Sequence, residues 1–182
     1  MGSSTAGKTA GQVYLAGPFT SKTVRPTDNI PDDTVDMISD TSVWRRALLA
    51  AERTLVDTGW SVFLPHRDVS EWGARRITPG DVVRECLAAV KESDLVVALL
   101  EESFGTHVEV GVALGMGIPV VVVRCQDQAQ SYFGGGIAPA TLAGELVIPT
   151  ITRFAEFLYG AAFDDALAGA HAAVGWVGAA AG

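Results

Sequence analysis

The chain has 182 residues, a formal net charge of −8 and 48% hydrophobic residues, with a mean hydropathy of +0.28. This length fits one globular domain, and the large apolar share excludes an intrinsically disordered chain. The acidic balance excludes a surface that binds a nucleic-acid polymer through its phosphates, although a loop or helix N-terminus can still bind one small anion.

Strand and helix patterns alternate in the first part of the chain. Residues 13–16 are a short apolar run typical of a buried strand, and a polar stretch over 20–41 follows that is long enough to be a candidate functional loop. Apolar residues at helical spacing predict a helix over about 42–58, capped by Ser42. Residues 60–64 then predict a second strand.

The same alternation continues through the middle of the chain. The next predicted elements are a helix over about 79–94, an apolar strand over 95–100, a loop over 101–105, a helix over 106–117 and an apolar strand over 119–123. Strands without polar alternation, separated by helices, indicate a parallel sheet covered on both faces. We therefore expect a doubly wound α/β fold, flavodoxin-like or Rossmann-like, with its site at the carboxyl ends of the strands.

The remaining residues extend this single domain. A short apolar segment at 146–149 and a predicted helix over about 152–167 follow without a second domain boundary. We place the domain at 12–174, between a flexible N-terminus at 1–11 and a flexible tail at 175–182.

The cysteines and the hydrophobic runs bear on the cellular compartment. Cys86 and Cys125 lack the spacing of zinc ligands or of a disulfide framework, so we expect reduced thiols and a cytoplasmic protein. Every apolar run is far shorter than the ~20 residues that a membrane span needs, and we expect neither export nor membrane anchoring.

The segment after the third strand carries the most chemical information. Ser103, Gly105 and Thr106 stand at the start of the predicted helix, where free backbone N–H groups and the helix dipole favour an anion. Glu109 follows one turn later among apolar residues, an expensive place for a carboxylate unless it has a function. Two other interpretations stay open at this point: Ser103 and Thr106 could only cap the helix, and Glu109 could be solvated.

Four segments carry a resemblance to a known family: Val13–Phe19 (VYLAGPF), Ser93–Ala98 (SDLVVA), Gly105–Ala113 (GTHVEVGVA) and Gly117–Val120 (GIPV). In this order, over roughly residues 12–125, the chain resembles the nucleoside 2-deoxyribosyltransferase superfamily. Gly105 to Glu109 also overlaps the motif of phosphoribohydrolases that resemble lysine decarboxylases, but the Pro-Gly-Gly that begins that motif is missing here.

The resemblance implies that Glu109 is a nucleophile, which attacks the anomeric carbon and forms a glycosyl-enzyme ester. A departing base must also be protonated or otherwise stabilised. Members of the family usually carry an aspartate where this chain has Cys86. We therefore expect Glu85 or Asp81 to assist the leaving group, with Asp68 as a further option, although each could be a solvated charge.

A serine six residues before the nucleophile is similar to the pattern of nucleoside 5′-monophosphate hydrolases, and Ser103 has this spacing from Glu109. A serine at a helix N-terminus can donate to a phosphate, whereas a carboxylate would repel it. In that branch a second serine comes from the neighbouring subunit, and Ser131 stands about where it should. The resemblance thus implies a homodimer with a shared active site.

One aromatic residue bears on which sugar and base the substrate is expected to carry. Family members that prefer 2-deoxyribose resemble one another in a tyrosine near the first strand, and Phe19 here resembles the ribonucleotide branch of CMP and hydroxymethyl-CMP hydrolases from nucleoside-antibiotic pathways. The substrate-binding residues expected on this basis are Gly17, Pro18, Phe19, His66, Asp68, Ser103, Gly105, Thr106 and Ser131.

The expected activity is therefore hydrolysis of the N-glycosidic bond of CMP or 5-hydroxymethyl-CMP. The alternatives are a 2′-deoxynucleoside 5′-monophosphate hydrolase, a deoxyribosyltransferase, and a nucleotide-binding module without catalysis. No metal or organic cofactor is expected, because the three histidines lack ligand spacing and nucleotide-binding glycine motifs are missing.

Overall fold

A computed structural model describes the backbone of residues 11–18, 35–100, 103–126 and 144–180, with side chains described for 11–18, 43–100, 103–126, 144–172 and 174. The expected site residues Phe19 and Ser131 lie outside this part of the chain. Within it, no helix is long and apolar enough to cross a membrane.

Five parallel strands form one sheet in the order β2-β1-β3-β4-β5. The strands are β1 (Gly11–Ala16), β2 (Trp60–Phe63), β3 (Leu95–Leu100), β4 (Val120–Cys125) and β5 (Gly144–Ile148). This order confirms the doubly wound flavodoxin-like arrangement. The strand order reverses at β1, so that a crevice opens between the carboxyl ends of β1 and β3.

In the part of the chain that the structure describes, five α-helices connect or flank the strands: α1 (Val35–Asp57), α2 (Pro65–Asp68), α3 (Pro79–Lys91), α4 (Phe104–Gly115) and α5 (Ala161–Ala180). Two 3₁₀ segments, Glu71–Gly73 and Ile151–Phe157, complete the described part of the chain. The helices lie on both sides of the sheet, as right-handed crossovers require.

Two hydrophobic layers pack on the opposite faces of the sheet, because consecutive strand residues point to opposite sides. Val13 and Leu15 of β1 face the layer of α1 and α5. Tyr14 and Ala16 face the layer of α3 and α4. All six residues of β3 are buried, which explains why that strand reads as an unbroken apolar run.

The helix boundaries correct two expectations. α1 begins at Val35, so Ser42 lies inside the helix instead of capping it. The helix expected over 152–167 is a 3₁₀ segment followed by α5, which continues to Ala180 and includes most of the expected tail. Gly160, with a φ of 78°, stands between the two and adopts a left-handed conformation that breaks the helical path.

Candidate active site

A cavity of about 670 Å³ opens beside the carboxyl ends of β1 and β3. Its volume is in the range typical of small-molecule sites. The lining residues are Gly17, Pro65, Ser70, Gly73, Arg75, Arg76, Ile77, Pro79, Val82, Val83, Cys86, Leu87, Phe104, Gly105, Thr106, Val108 and Glu109. They come from the loop after β1, the segment after β2, α3 and the first turns of α4, as the fold predicts.

Glu109 lines this cavity from the second turn of α4. The hydroxyl of Tyr14 donates a hydrogen bond to its Oε1 atom at 2.6 Å. Burial raises the pKa of Glu109 from 4.5 to about 7, while the hydrogen bonds from Tyr14 and Cys86 lower it. The carboxyl group is therefore poised to change its protonation state near neutral pH.

Tyr14 is a site residue that the sequence reasoning missed. It lies in the middle of β1, fully buried and stacked on Phe63 with ring centroids 5.6 Å apart. Burial and the neighbouring Glu109 raise the pKa of its phenol well above its usual value, which keeps the hydroxyl protonated as a donor. The sequence contains the signal, because a phenol in a buried strand needs a polar partner.

Cys86 brings α3 to the same carboxylate. Its thiol is buried, lines the cavity and hydrogen-bonds with both Tyr14 and Glu109. Burial raises the pKa of the thiol to about 11. Three elements, β1, α3 and α4, thus converge on one carboxyl group, with a neutral thiol at the position where the family usually has an aspartate.

The N-terminus of α4 has the form expected of an anion site. Gly105 and Thr106 line the cavity. Ser103 occupies the N-cap position but makes no capping bond with the backbone, and its Oγ accepts a hydrogen bond from the Thr106 hydroxyl at 3.2 Å. The interpretation of Ser103 as a helix cap is therefore wrong, and the first backbone N–H groups of α4 are not satisfied by its side chain.

The structure does not bring Asp81 to Glu109. Asp81 accepts hydrogen bonds from the Thr78 hydroxyl at 2.6 Å and from Arg84 at 2.5 Å, at the start of α3. Thr78 in turn accepts from the backbone N–H of Asp81 and caps the helix. Asp81 is absent from the cavity lining because these contacts hold it at the helix end.

Glu85 is also kept from the cavity lining, by a two-pronged ion pair with Arg75. The Nη1 and Nη2 atoms of Arg75 donate to the two carboxylate oxygens at 3.0 and 3.1 Å. Arg75 itself does line the cavity. Neither carboxylate expected to be the leaving-group acid therefore lines the cavity. Arg75 lines it instead, and no sequence motif indicated this arginine.

The loop after β2 uses its expected site residues to hold its own shape. His66 is buried, stacks on Trp72 and hydrogen-bonds through Nε2 to the carbonyl oxygen of Pro18 at 3.1 Å. Burial lowers its pKa to about 4, so the ring is neutral and donates to that carbonyl. Asp68 accepts from the Leu64 backbone N–H at 2.8 Å. His66, Pro18 and Asp68 do not line the cavity, whereas Gly17 does.

A metal site has no support in the described part of the chain, where no group of three His, Cys, Asp or Glu side chains could hold an ion. The charged side chains that line the cavity are Glu109, Arg75 and Arg76. Within the described residues, the lining thus combines one partly buried carboxylate with two guanidinium groups, which suits an anionic ligand.

Residues 40–165 match the family model of the nucleoside 2-deoxyribosyltransferases. No curated protein matches the chain.

Solved structures share the fold at low identity. BlsM is 22% identical, with a TM-score of 0.60, over 92% of this chain and 93% of its own. The CMP N-glycosidase BcmB of Clostridium botulinum is 18% identical, with a TM-score of 0.52, over 81% and 97%. A conserved protein from Enterococcus faecalis V583 is 19% identical, with a TM-score of 0.53, over 80% and 94%.

Proposed function

Because the chain belongs to the nucleoside 2-deoxyribosyltransferase family, we propose that it hydrolyses the N-glycosidic bond of a pyrimidine ribonucleoside 5′-monophosphate, CMP or 5-hydroxymethyl-CMP. The products are the free base and ribose 5-phosphate. The observation that carries this proposal is the Glu109 carboxyl group, which lines the cavity and is held by the Tyr14 hydroxyl at 2.6 Å.

In the proposed reaction, ionised Glu109 attacks C1′ of the sugar and forms a covalent ester as the base departs. Water then attacks C1′ and releases ribose 5-phosphate with retained configuration. Tyr14 donates to the oxygen at Oε1, which leaves the other carboxylate oxygen for the sugar. A fixed donor of this kind orients the nucleophile without the cost of reorganising water.

The proposed phosphate site is the N-terminus of α4. Gly105 and Thr106 line the cavity there, and the helix dipole together with the first N–H groups favours a dianion. The Ser103 side chain makes no backbone capping bond, so it has donor capacity left for phosphate. Ser131 of a neighbouring subunit is proposed as a further phosphate ligand.

A homodimer is part of the proposal because of an apolar stripe on α4. Phe104, Val108 and Met116 are all well exposed, and Phe104 has 95% of its surface open to solvent. Phe104 and Val108, four residues apart, lie on one side of α4, and Met116 directly follows the last residue of the helix. A stripe of this kind beside a cavity is typical of a subunit contact.

Tyr14 favours a second candidate, a hydrolase for 2′-deoxyribonucleoside 5′-monophosphates. The aromatic residue that reaches Glu109 is a tyrosine, the residue type that resembles the deoxyribose-preferring branch. The ribose proposal was based on Phe19, which lies outside the described residues. The two candidates share the nucleophile and the phosphate site and differ only in the sugar.

The experiment is chromatography of free base released from CMP, dCMP, cytidine and AMP, with EDTA present. Wild type is compared with Glu109→Ala and with Glu156→Ala, an exposed glutamate paired with Arg153 away from the cavity. We expect cytosine from CMP ahead of the other substrates, loss of activity in Glu109→Ala and full activity in Glu156→Ala. Faster release from dCMP would establish the second candidate. No release from any nucleotide would overturn the hydrolase proposal.

A further inference from the structure

Among the described residues that line the cavity, no side chain other than the proposed nucleophile Glu109 could serve as an acid for the departing base. When the C1′–N1 bond breaks, its electron pair moves onto the base, and this charge must be neutralised or stabilised. Asp81 and Glu85 are bound elsewhere, and His66 is buried against Pro18. The burial that raises the pKa of Cys86 to about 11 makes its thiol a poor acid.

The charged groups left in the described cavity lining are Arg75 and Arg76, besides the nucleophile. Of the two, Arg75 is the more firmly oriented. Its Nη1 donates to Glu85 and, at 3.1 Å, to the carbonyl oxygen of Val69, and its Nη2 donates to the other oxygen of Glu85. No such contact holds Arg76 within the described residues, although the two side chains are alike in being exposed. A donor fixed in advance is the kind that stabilises a transition state.

The position of Arg75 relative to the nucleophile follows from α3. Glu85, which holds the guanidinium, is the chain neighbour of Cys86, whose thiol hydrogen-bonds to Glu109. Arg75 and Glu109 line the same cavity, and each contacts a residue of α3. A nucleotide between them would have its C1′ atom at Glu109 and its base toward Arg75.

We propose that Arg75, oriented by Glu85, donates a hydrogen bond to O2 of the departing pyrimidine and stabilises the negative charge that develops there. This inference rests on the proposed function. Arg75 would be a catalytic residue because it touches the base, and Glu85 a positioning residue because it acts through Arg75. The Glu85 carboxylate thereby contributes to base departure, but not as the acid.

The step balances without an added acid. A Glu109 oxygen forms a bond to C1′ while the C1′–N1 bond breaks, and the electron pair passes to N1 and is shared with O2 of the base. Arg75 keeps its protons, because a guanidinium does not act as an acid in proteins. The cytosine anion takes a proton from water as it leaves. A second water then attacks C1′, which restores the Glu109 carboxylate and gives ribose 5-phosphate, and the proton that this water loses neutralises the hydroxide left when the cytosine anion took its proton.

The test compares a poor and a good leaving group on the same sugar phosphate. CMP is one substrate, and the 4-nitrophenyl riboside 5-phosphate is the other, because nitrophenolate departs without assistance. We expect Arg75→Ala to lower kcat for CMP by about 100-fold, the usual effect of losing one transition-state donor. The nitrophenyl substrate should lose no more than about threefold. Guanidinium ion in the buffer should restore part of the CMP activity.

Three further variants sharpen the result. Arg75→Lys keeps the charge without the fork, and we expect an intermediate loss for CMP. Glu85→Gln should show the same preference for the nitrophenyl substrate with a smaller loss, about tenfold, which a merely structural role would not produce. Arg84→Ala is the matched control, since Arg84 lies on α3, pairs with Asp81 and does not line the cavity.

Each outcome decides the inference. An equal loss with both substrates would overturn it, and would place Arg75 at the phosphate or in the fold. If the wild type hydrolyses neither substrate, the proposed function fails by itself. Calorimetric binding of cytosine then decides the role of Arg75: a tenfold weaker affinity in Arg75→Ala, with Arg84→Ala unchanged, supports contact with the base, and equal affinities overturn it.

Discussion

At the scale of single residues, the proposed nucleophile Glu109 would need an ionised carboxylate in a partly buried position, and these two demands oppose each other. Burial raises the pKa of the group to about 7, and the donors Tyr14 and Cys86 restrain that rise. The ionised form needed for attack is therefore only partly populated at neutral pH. Activity must depend on how well these two donors hold the charge.

The first prediction concerns pH. In the wild type, kcat/KM should rise with pH through about 7, because Glu109 must lose its proton to attack. Tyr14→Phe removes a donor that lowers the pKa of Glu109, so the rise should move up by about one unit, the value of one hydrogen bond to a charged group. Tyr159→Phe, at an exposed tyrosine, is the control. An unshifted profile in Tyr14→Phe would contradict the assigned coupling.

The second prediction concerns stability. The pKa of Glu109 is raised from 4.5 to about 7 in the folded protein, so the folded state binds more protons than the unfolded state between these values. The free energy of unfolding therefore falls as pH rises through this window, by about 3 kcal/mol. Glu109→Gln removes the charge, and we expect it to raise the free energy of unfolding at pH 8 by about that amount.

The gain in Glu109→Gln should vanish near pH 4, where the carboxyl group is protonated in both states. Urea denaturation at the two pH values measures this difference directly. A variant as stable as the wild type at pH 8, or one stabilised equally at both pH values, would show that burial does not oppose ionisation of Glu109.

Residue roles were predictable where a pattern in the chain marks them. The position of Glu109 and of the α4 N-terminus at the cavity could be predicted, because a carboxylate in an apolar helix and small polar residues at a helix start are local signals. Tyr14 and Arg75 could not, since each acquires its role from a partner distant in the chain, Glu109 and Glu85. Asp81 and Glu85 lie outside the described cavity lining because each is bound by an arginine, and the sequence does not reveal which carboxylate an arginine will bind.

At the scale of elements, β5 and α5 approach each other unusually closely. A Cβ added at Gly144 would lie 1.8 Å from the carbonyl oxygen of Ala166, a backbone atom that cannot swing aside. Gly169, in the same contact, has room, since its added Cβ would lie 3.6 Å from the Gly144 Cα. Only one of these two glycines is therefore required by packing.

The third prediction compares these two glycines. Gly144→Ala should lower the free energy of unfolding by at least about 3 kcal/mol, the upper end of ordinary overpacking, because backbone has to move. Gly169→Ala should be neutral or stabilising by up to about 1 kcal/mol, since alanine favours a helix. Thermal and urea denaturation measure both. Equal losses in the two variants would contradict the close approach at Gly144.

Elements were predictable in proportion to their burial. The bounds of β3 agree with the sequence because every residue in it is buried, so its run of apolar residues is unbroken. The bounds of the last helix were predicted wrongly. The apolar spacing over 152–167 suggests one continuous helix, but the structure has a 3₁₀ segment there, and Gly160 separates it from α5. β5 alternates between buried and exposed residues at the sheet edge, and only part of it was expected.

At the scale of the whole molecule, the proposed shared site can be tested by complementation. In a heterodimer of Glu109→Ala and Ser131→Ala chains, one site has both defects and the other has none. Heterodimers purified through two different tags should thus show about half of the wild-type activity, since one of two sites is intact. Activity no higher than that of the two parent variants would contradict a site shared between subunits.

The apolar stripe allows a separate test of the proposed subunit contact. Met116, directly after α4, and Val56 on α1 are almost equally exposed, at 51% and 50%. Met116→Glu should convert the dimer to a monomer in sedimentation, because it places a charge in the proposed contact. Val56→Glu should leave the dimer intact. Dissociation in neither variant would show that the stripe on α4 is not the contact.

The two hydrophobic layers of the sheet differ in their relation to the cavity. Within the described residues, no side chain of α1 or α5 lines the cavity, and the proposed nucleophile Glu109 and its donors Tyr14 and Cys86 belong to the α3–α4 side. Mutational tolerance should follow this division. Directed evolution for heat resistance can change residues on the α1–α5 side with little effect on catalysis. Libraries aimed at new substrates belong on the α3–α4 side, where substitutions that change activity often lower the free energy of unfolding and can be offset by stabilising changes on the α1–α5 side.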